Sequence, residues 1–173
     1  KELVANVGQE LFEAALAGGV DLFFEAAVAG GIPLIRVLRE SLAGERISRV
    51  MGIVNGTTNF ILTKMTEEGA EYADVLAEAQ KLGFAEADPT ADVEGGDAAA
   101  KAAILASIAF GAKVVAGDVY QEGISRISPA DIAAASHMGH VIKLLAVAEF
   151  DGREVAVRVH PTMVPEHHPL ASV

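Results

Sequence analysis

Apolar residues recur at helical spacing along much of the chain. Between residues 2 and 17 they fall three and four positions apart, and the pair Gly18-Gly19 then supplies a stop. Ser128 followed by Pro129 is typical of a helix start, with the serine as N-cap. Similar patterns predict five further helices, over residues 33–42, 58–68, 71–82, 97–110 and 129–138.

Runs of mostly apolar residues predict the strands. Two of them cover residues 20–28 and 46–54. The segments HVIKLLAVAEF and REVAVRVHPTMV flank Asp151-Gly152, a two-residue hairpin signal that predicts antiparallel neighbours. Helices mixed with at least four strands predict an α+β fold, a mixed β-sheet layered with α-helices, in a single domain over residues 1–173.

The composition narrows the class of ligand. The chain has 173 residues, 51% of them hydrophobic, a formal net charge of −11 and no cysteine. Such acidity argues against nucleic acid and anionic membranes as partners, since both are bound chiefly through Lys and Arg. No apolar stretch is long enough to span a membrane, and the absence of thiols fits a reducing cytoplasm. The expected ligand is a small molecule or a protein.

Both ends of the chain fall inside structural patterns. Lys1 already stands at the start of a helix, and the final PLASV closes no element. We therefore expect the chain to be a piece of a larger protein.

Carboxylates are concentrated in LGFAEADPTADVEGGDAAAK, residues 82–101, which runs into an alanine-rich helix. On that helix Asp97 and Lys101 are four residues apart and share a face. They can form an ordinary ion pair, which stabilises a helix by about 0.2–0.5 kcal/mol. They can also do chemistry, the lysine handling a proton while nearby carboxylates hold a substrate ammonium. A divalent cation is a third reading, although the spacing fails the EF-hand pattern.

Three other segments hold candidate groups. Glu25 precedes AAVAGGIP. The backbone carbonyls of this segment can converge on a cation, or the segment can be only the end of a strand and a flexible loop. NGTT at 55–58 can bind an anion or only cap a helix. His137 and His140 can share a metal, but no third ligand is close in sequence, which favours surface or core histidines.

Taken together, EAAVAGGIP, GIVNGTTNFILTKM and LGFAEADPTADVEGGDAAAK closely resemble the catalytic domain of homoserine dehydrogenase. The resemblance covers nearly the whole chain and includes three motifs in the right order. It implies NAD(P)-dependent interconversion of L-homoserine and L-aspartate 4-semialdehyde, a step towards threonine, isoleucine and methionine. It also implies a homodimer.

The resemblance assigns roles to individual residues. Lys101 is the general acid and Asp97 its catalytic partner. The other assignments are to the substrate (Glu86, Asp92, Gly56, Thr57), to the cofactor (Lys1) and to a monovalent cation, usually sodium, held largely by carbonyls (Glu25, Val28, Gly30, Ile32). Two positions depart from the family pattern. Phe84 stands where many members have tyrosine, and Gly96 replaces what is often a bulkier residue.

The family's N-terminal Rossmann domain, which binds NAD or NADP, is absent from this chain. Hydride transfer needs the nicotinamide held against the substrate, so we expect the isolated chain to be nearly inactive. The alternative is a non-catalytic dimerisation module of the same fold that binds a small molecule or a cation.

Overall fold

The computed structural model describes residues 1–173 and contains seven α-helices and four β-strands. The helices are α1 (Glu2–Gly18), α2 (Leu34–Arg36), α3 (Gly56–Glu68), α4 (Tyr72–Leu82), α5 (Thr90–Val93), α6 (Gly96–Phe110) and α7 (Pro129–His137). The strands are β1 (Arg49–Gly52), β2 (Tyr120–Gln121), β3 (His140–Phe150) and β4 (Val155–Pro165). No helix combines the length and the apolar character needed to cross a membrane.

The four strands form one sheet in the order β1-β3-β4-β2. Strand β1 lies antiparallel to β3, in a register that runs from Arg49 opposite Glu149 to Gly52 opposite Ala146. The predicted α+β class with a mixed sheet is confirmed.

The chain divides into two compact units, and β2, β3, β4 and α6 each contribute residues to both. Unit 1 comprises Lys1–Val54, Ala99–Tyr120 and Ala146–Arg158, and unit 2 comprises Asn55–Ala98, Gln121–Leu145 and Val159–Val173. In unit 1 an apolar cluster joins α1, α2 and α6 through Ala5, Ile35, Ile104 and Leu105. Ile104 and Leu105 therefore turn one face of α6 towards this core.

The core of unit 2 is built on α3 and α4, which pack against each other. Ile61, Leu62 and Met65 of α3 are fully buried, as are Val75 and Ala79 of α4. Each helix ends at a glycine in the left-handed conformation, Gly69 at φ +65° and Gly83 at φ +81°.

The strand predicted over residues 20–28 is wrong. That segment holds a short 3₁₀ turn at Glu25–Ala27 and pairs with no strand. Its apolar residues instead enter the core of unit 1, where Val28 is 1% exposed and Phe24 packs beside it. A short apolar run indicates burial, and burial alone does not distinguish a strand from an irregular segment.

The hairpin between β3 and β4 is confirmed, but its predicted two-residue turn is wrong. The strands are separated by four residues, 151–154. Asp151 Oδ1 accepts the backbone N–H groups of Arg153 and Glu154, both at 2.8 Å, and Gly152 takes φ +96°. The aspartate side chain thus builds a wider loop through local hydrogen bonds.

The other predicted helices are present with small differences, whereas the short α5 was not predicted. The helix over residues 33–42 splits into α2 and a π-helical segment, Val37–Ser41, with Pro33 as its N-cap. Helix α3 starts two residues earlier than predicted because Asn55 caps it. At α7, Ser128 and Asp131 form a reciprocal capping box.

Candidate active site

Asn55 is the N-cap of α3 and lies at the centre of the site in unit 2. Its side chain is 6% exposed, and its Oδ1 accepts the backbone N–H and the hydroxyl of Thr58, each at 2.8 Å. These contacts satisfy a helix-terminal N–H and fix the amide plane. The amide nitrogen is therefore aimed away from the helix, with two hydrogens to donate.

Both hydrogens go to carboxylates. Asn55 Nδ2 donates to Asp92 Oδ1 at 2.7 Å and to Asp97 Oδ2 at 2.9 Å. The Thr57 hydroxyl lies 3.1 Å from Asp92 Oδ2 and 2.8 Å from the Phe84 carbonyl oxygen, and it contacts both. We call Asn55, Thr57, Asp92 and Asp97 the carboxylate centre. The structure thus brings together three of the predicted site residues: Thr57, Asp92 and Asp97.

Two consecutive helices hold the two aspartates in place. Asp92 is on the four-residue α5, and Asp97 is in the first turn of α6, where it is 8% exposed. Gly95 connects the two helices at φ +86°, a conformation that favours glycine. An acid in the first turn of a helix is also favoured by the helix dipole.

Gly123 lets a second segment approach this connection. A Cβ at residue 123 would lie 2.4 Å from the Val93 carbonyl oxygen and 2.5 Å from Glu94 Cα, both backbone atoms. The next residue, Ile124, donates its N–H to the Val93 carbonyl at 2.8 Å. Glycine at 123 therefore permits the close backbone contact that supports the end of α5.

Lys101 lies on α6 and is half-buried in unit 1. Its Nζ donates to the Val54 carbonyl oxygen at 2.7 Å. Val54 is the residue before Asn55, so the end of the β1 segment orients this ammonium through its backbone.

The other carboxylates of the loop are exposed. Asp88 Oδ1 accepts the Thr90 N–H at 3.1 Å, and hydrogen bonding by Thr90 holds the pKa of Asp88 below its usual value. Glu86 and Glu94 are also exposed, and their carbonyl oxygens accept hydrogen bonds from the side-chain amides of Gln80 and Gln121. Asp88 therefore has a structural role at the start of α5.

Phe84 and Gly96, the two departures from the family pattern, both flank this region. The Phe84 ring is 56% exposed and packs against Phe60 with 4.8 Å between ring centroids, while its carbonyl accepts the Thr57 hydroxyl. A Cβ at residue 96 would lie 3.5 Å from the Ala91 carbonyl oxygen. Neither position disturbs the carboxylate centre.

The remaining substrate and cofactor candidates lie at element starts. Gly56 is the first residue of α3 and is exposed, next to Thr57. Lys1 precedes α1, is exposed, and its ammonium pairs with Glu2 at 2.6 Å.

The candidate cation segment lies in unit 1. The Glu25 carboxylate accepts the N–H groups of Ile35 at 3.0 Å and Arg36 at 2.8 Å, so it caps the start of α2. Ala29 and Gly30 are both left-handed, at φ +62° and +58°, and they turn the backbone sharply after the buried Val28. Carboxylate and carbonyl oxygens are the donors that a hard cation takes.

No group of three or more histidine, cysteine or acidic side chains is arranged to hold a metal ion. This geometry gives no support to the hypothesis that the carboxylates of residues 82–101 bind a divalent cation. His137 Nδ1 lies 2.7 Å from the Ala133 carbonyl, and His140 Nδ1 lies 2.6 Å from the Met138 carbonyl.

A second buried polar cluster in unit 2 was not predicted. Lys143 of β3 is 3% exposed, and its Nζ donates to Asn59 Oδ1 at 3.0 Å, Thr63 Oγ1 at 2.8 Å and the Val173 carbonyl oxygen at 2.6 Å. Burial lowers the pKa of this lysine, and Glu67 partly opposes the shift. We call Lys143, Asn59, Thr63 and Val173 the lysine centre.

Sequence reasoning missed Asn55 and Lys143 for different reasons. The NGTT pattern predicts a helix cap or an anion site. When the oxygen of an asparagine caps a helix, its amide nitrogen still needs an acceptor, and this is the signal that could have identified Asn55. Lys143 sits inside the apolar run HVIKLLAVAEF, where a charge that needs buried partners stands out.

Comparisons with known proteins give a consistent result. The homoserine dehydrogenase family model matches residues 33–173. Homoserine dehydrogenase from Corynebacterium glutamicum is 65% identical over 178 residues, which cover 100% of this chain and 40% of that protein. The chain therefore spans about 40% of the length of the curated relatives it matches.

Solved structures agree. Homoserine dehydrogenase from Thiobacillus denitrificans has a TM-score of 0.96 at 52% identity, over 99% of this chain and 40% of that one. A hyperthermophilic archaeal homoserine dehydrogenase in complex with NADPH has a TM-score of 0.82 at 34% identity, over 97% of this chain and 48% of that one.

Proposed function

The chain belongs to the homoserine dehydrogenase family, and we propose that it supplies the substrate-binding and catalytic half of an enzyme that interconverts L-homoserine and L-aspartate 4-semialdehyde. The observation that carries this proposal is the carboxylate centre, in which one buried amide holds Asp92 and Asp97 at the start of the helix that also carries Lys101. The nicotinamide cofactor, NAD or NADP, supplies or accepts the hydride when it is bound.

Lys101 is the proposed proton donor. In the reductive direction C4 of the semialdehyde gains a hydride, and the Lys101 ammonium gives a proton to the aldehyde oxygen. In the oxidative direction the neutral amine takes the hydroxyl proton of homoserine as C4 loses its hydride. The bond from Nζ to the Val54 carbonyl supports this role, because it leaves the ammonium oriented and half-buried.

Asp97 is the proposed partner of Lys101. It lies one helical turn before Lys101 on α6, and the Asn55 amide fixes its carboxylate. A carboxylate fixed one turn away on the same helix can orient the lysine side chain for proton transfer.

The substrate ammonium is proposed to bind the acidic side chains of the loop that precedes α6. Glu86 is exposed and Asp92 is half-buried, so both carboxylates are accessible to a small cation. Gly56 and Thr57 begin α3 and are the proposed lining of the same site. The ammonium group of an amino acid substrate is attracted by acidic side chains, whereas an anion would be repelled.

Two further groups complete the proposal. Lys1 is proposed to lie near the cofactor and the substrate carboxylate. A monovalent cation, sodium in the family pattern, is proposed at Glu25, Val28, Gly30 and Ile32, where it would order the loop around the left-handed residues Ala29 and Gly30.

We also propose a homodimer. The side chains of Met138 and Met163 are 58% and 43% exposed, and a second copy would cover apolar surface of this kind. Sedimentation equilibrium should give twice 17.9 kDa. A monomer at all micromolar concentrations would contradict this part of the proposal.

The activity is tested in a chimera, because the chain spans 40% of the relative's length. Residues 1–173 replace the matching segment of the C. glutamicum enzyme. The chimera should oxidise L-homoserine, and Glu86→Gln should raise the KM for L-homoserine while leaving that for the cofactor unchanged. Glu71→Gln, at an exposed N-cap without a side-chain bond, is the matched control. A folded chimera that binds the cofactor without turnover would overturn the proposed function.

A further inference from the structure

Asn55 uses its whole hydrogen-bonding capacity inside unit 2. Its oxygen accepts two bonds from Thr58, and its nitrogen donates one bond to each of two aspartates. A side-chain amide has two lone pairs on oxygen and two hydrogens on nitrogen, so all four are used. Such an amide is held in one orientation, and it fixes the two carboxylates that accept its hydrogens.

An aspartate at this position would cap α3 equally well, since Asn, Asp and Ser are comparable N-caps. It would nevertheless fail towards the carboxylates. Asp92 Oδ1 and Asp97 Oδ2 lie 2.7 and 2.9 Å from the same nitrogen, so an oxygen in its place would put three acceptors together with no hydrogen between them. The geometry therefore requires a neutral donor at residue 55, which capping alone does not.

We propose that Asn55 is a positioning residue for the reaction: its amide holds Asp92 and Asp97 in the arrangement that lets one face the substrate and the other assist Lys101. This inference rests on the proposed function. Asn55 itself touches neither substrate nor proton, and it acts through the two carboxylates.

The test compares two capping variants in the chimera, each assayed well below its unfolding midpoint. Asn55→Asp and Asn55→Ser both keep an N-cap acceptor and both lose the paired donor. Each should lower kcat/KM for L-homoserine by about a hundredfold, with the KM for the cofactor unchanged. In Asn55→Asp the acid limb of the kcat profile should also move to higher pH, because a third carboxylate beside Asp92 and Asp97 favours protonation within the cluster.

Ser128→Ala is the matched control, because it removes the cap of α7 in the same unit without touching the carboxylate centre. It should lower the unfolding midpoint and leave kcat/KM unchanged. If the unsubstituted chimera is active and both Asn55 variants stay within threefold of it, the inference is wrong. Failure of both variants to fold would also overturn it, because Asn55 would then be structural. An inactive unsubstituted chimera would instead refute the proposed function.

Discussion

The carboxylate centre and the lysine centre are both attached to α3 in unit 2, and they differ in charge and in access. At the N-terminus of the helix, Asn55 holds two aspartates. Along the same helix, Asn59 and Thr63 accept from one lysine that is 3% exposed. The carboxylate centre has excess negative charge and lies beside exposed residues of the loop that precedes α6. The lysine centre encloses its charge completely.

This difference separates the proposed site of the reaction from a structural contact. A buried ammonium with three acceptors is held in one geometry, and its removal leaves those acceptors without a donor. The half-buried Asp92, held by a neutral amide and a hydroxyl, still has lone pairs to offer a ligand. We therefore expect substitutions in the carboxylate centre to change activity and substitutions in the lysine centre to change stability.

The largest expected effect is on turnover. Asp97→Asn in the chimera removes the charge beside Lys101 and should lower kcat by about 10²–10⁴, the usual contribution of acid–base groups. Steady-state assays of L-homoserine oxidation measure it. Asp118→Asn, at an exposed aspartate in a turn of unit 1, is the control and should keep wild-type kcat. A kcat for Asp97→Asn within threefold of wild type would remove Asp97 from the mechanism.

A smaller effect is expected from the support of α5. Gly123→Ala places a methyl group 2.4 Å from the Val93 carbonyl, and such overpacking destabilises by about 1–3 kcal/mol. Urea unfolding of the chain, followed by circular dichroism, measures the free energy. Gly117→Ala is matched, because its methyl group meets open space, and it should be nearly neutral. Equal unfolding free energies for the two variants would show that the close approach is not needed.

A similar effect on stability is expected in the lysine centre. Lys143→Met removes the donor for Asn59, Thr63 and Val173 and should lower the free energy of unfolding by about 1–3 kcal/mol. Lys81→Met, at an exposed position near the end of α4, is the control. A Lys143→Met chain as stable as the wild type would mean that burying the ammonium costs as much as its hydrogen bonds return.

The smallest expected effect is on pH dependence. Burial lowers the pKa of Lys143 below its ordinary value of 10.5, so between the lowered value and 10.5 the unfolded chain binds more protons than the folded chain. The free energy of unfolding of the wild type should therefore rise with pH through that window, relative to Lys143→Met. Urea titrations from about pH 8 to 10.5 give the difference, and the other groups cancel because both proteins share them. A difference that is flat or falls with pH contradicts the lowered pKa.

Much of the fold can be predicted from the sequence where a local signal is complete. The cap Ser128 predicted the start of α7, and the apolar pattern over residues 71–82 predicted the end of α4, because these signals act within one turn of helix. The segment over residues 20–28 could not be predicted, since its conformation depends on which core it enters and not on its own periodicity.

The site follows the same rule. Spacing put Asp97 and Lys101 on one helix, and α6 confirms this. The meeting of Asn55 with Asp92 and Asp97, which are 37 and 42 residues away, is a tertiary contact that no local pattern encodes. Lys143 could have been suspected as a buried charge, but its partner Asn59 is 84 residues away in sequence.

The most direct test makes the same substitution at two lysines of the chimera and measures kcat for L-homoserine oxidation. We predict that Lys101→Met lowers kcat by about 10²–10⁴, because it removes the proposed proton donor. Lys143→Met, which changes only the buried lysine centre, should keep kcat within about threefold. Equal losses at the two positions, or a larger loss at Lys143, would contradict the assignment of the chemistry to Lys101 and the carboxylate centre.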